Sequence, residues 1–224
     1  MIVNLNLPGE ALIQAVRFTH AVSEAGITTY IPREALAAYR HLKQYFALNI
    51  SSQRGVDVDC EMSHNDPFCR IGTIKRPLIF PRSIADRYLD FWSDQRSGVR
   101  FMGFLPVKRT SSLKEWQDRA VIDATDKGRR GIQRYWDEQY VADLGRAEFA
   151  LCPNGGFPWS YRVIEACLLG ATPVIQTECN WYDGMYFCKW AGPLERRNVE
   201  ENREWAIRLV TLRRQEIIDN LFQK

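Results

Sequence analysis

No stretch of the 224-residue chain approaches 18 uninterrupted apolar residues, so no transmembrane helix is expected. Charge of one sign is scarce too. Thirty Lys and Arg against 27 Asp and Glu leave +3, too small a surplus to point to nucleic acid or a membrane surface. None of the six cysteines (Cys60, Cys69, Cys152, Cys167, Cys179 and Cys188) falls in a Cys-x-x-Cys pair, which argues against a structural zinc site. The opening MIVNLNLPGEALIQAV has no basic start and places Pro8, Gly9 and Glu10 where a signal peptide is continuously apolar. Free thiols and a soluble, cytoplasmic protein are therefore expected. There is no internal repeat. No Gly-x-Gly-x-x-Gly follows a strand near the N-terminus, which removes the main support for a nicotinamide-dinucleotide enzyme.

What is present is an ordinary globular composition, long enough for one large domain or two small ones around a sizeable core. Seven tryptophans and nine tyrosines stand out. Trp159, Trp181, Tyr182 and Trp190 lie near polar, glycine-rich sequence where rings could stack on a base or a sugar, but for each of them, as for the rest, a place in the core is the favoured reading.

Residues 51–77 are rich in Ser, Gly, Asp and Pro and read as a break. Before it, two segments (EALIQAVRFTHAVSEAG and PREALAAYRHLKQYFAL) repeat apolar residues at helical spacing. After it, the pattern alternates. RPLIFPR, GVRFMGFL, EFALCP and TPVIQ read as strands. IADRYLDFW, SLKEWQDRAVIDA, QYVADLGRA, SYRVIEACLLG and the terminal NVEENREWAIRLVTLRRQEIIDNLF read as helices. Alternation of this kind predicts an α/β class with a Rossmann-like, mostly parallel sheet over residues 77–224. Residues 1–76 are expected to form a small, mostly helical N-terminal lobe, a cap or reduced partner.

The densest chemistry lies between Tyr140 and Ile175. A strand ends in Pro153-Asn154-Gly155-Gly156, and a helix starts near Ser160. Ligands of open parallel sheets sit beyond the carboxyl ends of strands, where a helix N-terminus offers free N–H groups. Gly155 and Gly156 permit close backbone approach. Arg162, in the first helical turn, supplies a forked cation for a diphosphate. Glu165, three residues on and on the same helix face, can accept from both hydroxyls of a ribose. A plain turn, a plain N-cap and an i,i+3 ion pair between Arg162 and Glu165 are the competing structural reading.

In the N-terminal portion the acidic cluster from Gly55 to Asp66 holds Asp57, Asp59, Glu61 and His64, candidates for a general base. Asp57-Val58-Asp59 also spells an Asp-x-Asp triplet, the pattern with which some glycosyltransferases bridge Mn²⁺ or Mg²⁺ to a diphosphate. A solvated acidic loop accounts for the same residues.

The motifs Phe149-Ala150-Leu151-Cys152-Pro153-Asn154-Gly155, Ser160-Tyr161-Arg162-Val163-Ile164-Glu165-Ala166 and Gly170-Ala171-Thr172-Pro173-Val174-Ile175, led by Tyr140 and Ala147, resemble the C-terminal nucleotide-sugar-binding half of exostosin-like glycosyltransferases. Val99-Arg100-Phe101-Met102-Gly103 is similar to that family's strand leading to a glycine loop. The resemblance covers roughly residues 98–190. It implies a GT-B-type arrangement, here reduced, and an inverting transfer from a nucleoside diphosphate sugar to a glycan acceptor. No resident cofactor is implied, a metal ion not being favoured. By position it implies donor contacts from Arg162, Glu165, Ser160, Tyr161, Asn154, Gly155 and Gly156, with Gly103 and Lys108 or Arg109 lining the phosphate loop. Residues 1–76 do not align with the family's larger acceptor lobe, as a compact virus- or bacterium-encoded form would explain. A non-catalytic nucleotide- or carbohydrate-binding module is the alternative.

Overall fold

The computed structural model describes residues 1–6, 12–43, 46–55, 58–62, 68–71, 74–77, 80–104, 107–125, 135–155 and 157–210. The chain divides into two compact units, Met1–Ile84 with Leu209–Lys224, and Ala85–Arg208.

The first unit is built on a six-stranded sheet. β1 (Ile2–Asn6), β2 (Thr28–Tyr30), β3 (Ile50–Ser51) and β4 (Val58–Met62) run parallel, and β5 (Phe68–Ile71) and β6 (Ile74–Pro77) extend it antiparallel, in the order β3-β2-β1-β4-β5-β6. Helices α1 (Leu12–Glu24) and α2 (Arg33–Lys43) provide the crossovers that parallel neighbours require. Val3 and Leu5 of β1 are buried, as are Ala15, Val16, Phe18, Ala21 and Val22 of α1. This N-terminal portion therefore carries far more strand than the expected mostly helical lobe. The polar stretch at 51–77 read as a break because β4 hides its alternation. Cys60 and Met62 point inward, while Asp59 and Glu61 face solvent.

The second unit holds a five-stranded, all-parallel sheet ordered β11-β10-β9-β7-β8. Its strands are β7 (Val99–Phe104), β8 (Val121–Thr125), β9 (Phe149–Cys152), β10 (Thr172–Ile175) and β11 (Cys188–Lys189). Helices α3 (Arg82–Leu89), α4 (Val107–Leu113), α5 (Glu138–Gly145), α6 (Tyr161–Leu168) and α7 (Val199–Val210) complete the described elements, α3 and α7 each crossing a unit boundary in the chain. All four residues of β9 and of β10 are buried, as expected where helices cover both faces of a parallel sheet. The α/β class with a Rossmann-like parallel sheet holds.

One predicted helix is corrected. SLKEWQDRAVIDA breaks after the end of α4 and a 3-10 turn (Lys114–Trp116), and its last residues form β8. Leu113 and Trp116 do anchor in the core with Phe101, Phe149 and Leu151, which gave the sequence its helical spacing. β8 then pairs with β7 alone and leaves Val121 exposed at the sheet edge. The glycine closing α6 is where expected: Gly170 has φ +76, the left-handed conformation of a helix C-terminus.

Candidate functional site

Strands β7 and β9 deliver their carboxyl ends beside the N-terminus of α6. Ser160 caps that helix from an extended backbone, its Oγ accepting from the Arg162 N–H at 3.2 Å. The Ser160 N–H donates to the Tyr182 hydroxyl, which donates in turn to the Pro158 carbonyl. The entry to the helix is thereby fixed from outside its own segment.

Arg162 does not lie on the cleft rim. Its guanidinium stacks 4.6 Å above the Phe101 ring and its Nη2 donates to the Met102 carbonyl at 2.8 Å. Among the described residues its buried Nε and Nη1 have no hydrogen-bond partner of good geometry, the Tyr140 hydroxyl lying near the group. Buried polar atoms are nearly always paired, so two donors without a well-placed partner on one cation mark a place prepared for an acceptor. Burial alone lowers the pKa of Arg162. The neighbouring Tyr140, Cys152 and Glu165 outweigh it and hold the group above the ordinary arginine value.

A second guanidinium approaches from α4. Arg109 donates from Nε to the Asn154 carbonyl at 3.4 Å, and its pKa falls to about 10 through burial first and repulsion by Arg162 second. Both arginines remain charged at neutral pH, so the pocket holds two mutually repelling cations. An anion between them would relieve that repulsion.

The glycines make the room. At Gly103, φ +136, an added Cβ would lie 2.6 Å from Arg162 Nη2, and at Gly155 it would lie 2.7 Å from Arg109 Nη2. Gly155→Ala should therefore displace only the flexible end of Arg109, weakening pyrophosphate binding while the melting temperature hardly moves. Gly103→Ala should also strain the backbone by of order 1–3 kcal/mol. Melting curves with and without pyrophosphate check both. An unchanged ligand-induced shift in each variant would remove these arginines from anion binding.

Asn154 is held by its N–H to Gln176 Oε1 and by Nδ2 to Thr177 Oγ1, while its buried Oδ1 has no partner among the described residues. Glu165 is 6% exposed. It does not close an ion pair with Arg162 at i,i+3. Its Oε2 accepts from the Tyr140 hydroxyl at 2.6 Å and its Oε1 from the Tyr88 hydroxyl at 3.2 Å. Tyr140 heads a recognisable motif, whereas Tyr88 lies 77 residues before Glu165 and nothing in the sequence marks it. Cys152 also sits in this pocket, its thiol pushed up to about 12 chiefly by burial and so not a thiolate at neutral pH.

The other sequence candidates fall as follows. Tyr161 is buried edge-on to Trp159 and Trp181, and these rings with Tyr182 pack against one another as core. Trp190 packs edge-on to Trp116 and donates to Glu115. Their faces are spent on each other, so the fold builds the core packing favoured for these aromatics and not the alternative stacking platform. Lys108 lies on α4, its side chain outside the described residues, as are Gly156, Asp57 and His64. Asp59 and Glu61 project from β4 in the first unit, where Asp59 pairs with Arg54 at 3.2 Å and Glu61 with Arg70 at 3.8 Å, all four side chains well exposed. Among the described residues no three His, Cys, Asp or Glu side chains gather as a metal site. Also among them, no helix is long and apolar enough to cross a membrane.

Comparison with known proteins bears out the resemblance. Over 99 residues, 42% of this chain and 21% of the relative, it is 32% identical to a "Probable glucuronosyltransferase" of Oryza sativa subsp. japonica. Over 106 residues, 47% of this chain and 22% of the relative, it is 28% identical to "Probable glucuronosyltransferase 47 A" of Physcomitrium patens. A "Probable beta-1,4-xylosyltransferase" of Arabidopsis thaliana is 53% identical over 99 residues, 42% of this chain and 21% of that protein. The matches span about a fifth of the length of these curated relatives. No family model matches the chain, and no solved structure matches it significantly.

Proposed function

We propose, from the similarity to plant proteins named probable glucuronosyl- and xylosyltransferases, that the chain binds a nucleoside diphosphate sugar at the carboxyl ends of β7 and β9 and passes the sugar to a glycan hydroxyl, with inversion. The observation that carries the reading is the pair of neighbouring guanidiniums, Arg162 with two buried nitrogens that lack a well-placed partner among the described residues and Arg109 repelled by it. A diphosphate between the two cations relieves their repulsion, and the N-terminus of α6 adds its dipole. Glu165, on the same helix, takes the ribose hydroxyls.

Chemically, departure of the nucleoside diphosphate builds negative charge on the bridging oxygen. Two fixed cations and the helix end stabilise that charge without reorganisation. The acceptor hydroxyl needs a base, which we assign to one carboxylate of the Asp57–Asp66 stretch, Asp59 or Glu61 being those described. The relatives' names favour a glucuronosyl or xylosyl group as the one transferred.

A thermal-shift panel of ribonucleoside diphosphates and their sugar conjugates tests the reading, because ligand binding to the native state raises apparent stability by mass action. One nucleotide should raise the melting temperature well above the others. No shift with any of them would sink the donor-site assignment. Slow release of free sugar from the best conjugate would separate an enzyme from a silent binding module.

A further inference from the structure

The carboxyl end of β10 carries a residue that the donor reading does not use: we infer that Gln176, the first residue beyond that strand, is a positioning residue that ties the loop of Asn154 and Gly155 to α4 and so holds Arg109 at the anion site. This role rests on the nucleotide reading of the pocket and adds to it a residue from a third element.

Strands β9 and β10 pair in parallel up to Cys152 and Ile175. Beyond those residues side chains continue the contact. The Asn154 N–H donates to Gln176 Oε1 at 3.0 Å, and Asn154 Nδ2 donates to Thr177 Oγ1 at 2.8 Å. The other end of the Gln176 amide reaches α4, where Nε2 donates to Ser112 Oγ at 3.0 Å. Its partners fix which way the amide faces. A backbone N–H only donates, so the oxygen must face Asn154, and the nitrogen is left for the Ser112 hydroxyl, which accepts. One uncharged side chain thereby spans two segments, accepting from one and donating to the other.

Those two segments build the anion site. Arg109 lies one helical turn before Ser112 on α4, and its Nε donates to the Asn154 carbonyl at 3.4 Å. A Cβ at Gly155 would come within 2.7 Å of its Nη2. Gln176 fastens the same two segments a second time, at the Asn154 N–H and one turn further along the helix. Arg109 and Ser112 each have other contacts, and neither is held by this tie alone. What Gln176 adds is a fixed gap between α4 and the loop. With the tie cut, Arg109 is still charged and still repelled by Arg162, but the segments that aim it are looser. An anion must then order them as it binds, which costs affinity. Gln176 is itself exposed, so its two bonds contribute little to the fold and its effect on binding can be separated from stability.

The test is calorimetry with pyrophosphate on the parent, Gln176→Met, Arg109→Ala and the double variant. Gln176→Met keeps the length of the side chain and removes both bonds. It should weaken pyrophosphate about two- to tenfold, the scale of neutral hydrogen bonds, while the melting temperature without ligand hardly moves. In the Arg109→Ala background the same substitution should change affinity very little, because Gln176 acts through Arg109. A residue that only supports the fold, or that touches the anion itself, would give the same loss in both backgrounds, so additive losses overturn the positioning role. Parent-like affinity in folded Gln176→Met overturns it too, and leaves the anion site standing. Ser112→Ala, which cuts only the α4 end, takes the place of Gln176→Met if melting curves show that variant unfolded, and the same coupling to Arg109→Ala is expected of it. A parent that does not bind pyrophosphate overturns the anion site itself, and the role of Gln176 with it.

Discussion

Replacing Arg162 with alanine should weaken nucleoside diphosphate binding by about 1.5–3 kcal/mol, or roughly 10- to 150-fold, the usual value of charge-assisted hydrogen bonds. The structure sharpens what else should happen. Arg162 is packed on Phe101 and tied to the Met102 carbonyl, so alanine also leaves a void and an unfilled acceptor. Against that, Arg109 is relieved of its nearest like charge and Glu165 keeps both phenols. The net change in stability should therefore be small beside the change in affinity. Arg162→Lys is the sharper probe. It keeps the charge and loses the planar fork, so it should recover only part of the binding. Isothermal titration with the best nucleotide of the panel measures both variants. Parent-like affinity in Arg162→Ala would show that the diphosphate lies elsewhere.

The strand-loop-helix from Phe149 to Gly170 was readable because its constraints are local. A strand of four buried residues, a proline-glycine loop, a serine cap and a helix closed by Gly170 each carry their own signal, and all agree. Arg162 was assigned for the same reason, but its depth was not. A position in the first turn of a helix suggests exposure, whereas stacking on Phe101 depends on β7, about 60 residues earlier. Tyr88 and its contact with Glu165 had no local signal at all, since a tyrosine on an amphipathic helix reads as core. The sheet of the first unit was under-read because its strands are two to five residues long and set among turn-forming residues. Short strands gain most of their stability from neighbours in the sheet, which pattern alone does not reveal. For the aromatic residues the favoured core reading holds: tertiary packing turns Trp159, Trp181 and Tyr182 onto one another, and the polar surroundings that left a ligand platform open are only their flanks in sequence.

Activity should survive a strong chelator, and one amide substitution among Asp57, Asp59 and Glu61 should then cost about 10²–10⁴-fold in turnover with little change in donor affinity. The expectation starts from the charge already present at the proposed donor site, where Arg162, Arg109 and the α6 terminus can neutralise a departing diphosphate. Under that arrangement the acidic stretch is left with the proton, which needs a single carboxylate. Asp59 and Glu61 are two residues apart on the outward face of β4, each beside an exposed arginine whose screened attraction is worth little. Either is free to turn to an acceptor, and Asp59 is placed first. The competing arrangement makes Asp57-Val58-Asp59 a metal site, and its signature differs at every step. Chelation would abolish activity and Mn²⁺ or Mg²⁺ would restore it. Asp57→Asn and Asp59→Asn would then lose donor affinity together, because the ion bridges the diphosphate. The measurement is therefore turnover and donor affinity for Asp57→Asn, Asp59→Asn, Glu61→Gln and His64→Gln, each with and without chelator. A large loss of turnover confined to one carboxylate variant, with affinity kept, identifies the base. Full activity in all four would leave the stretch as solvated surface and move the base to another element.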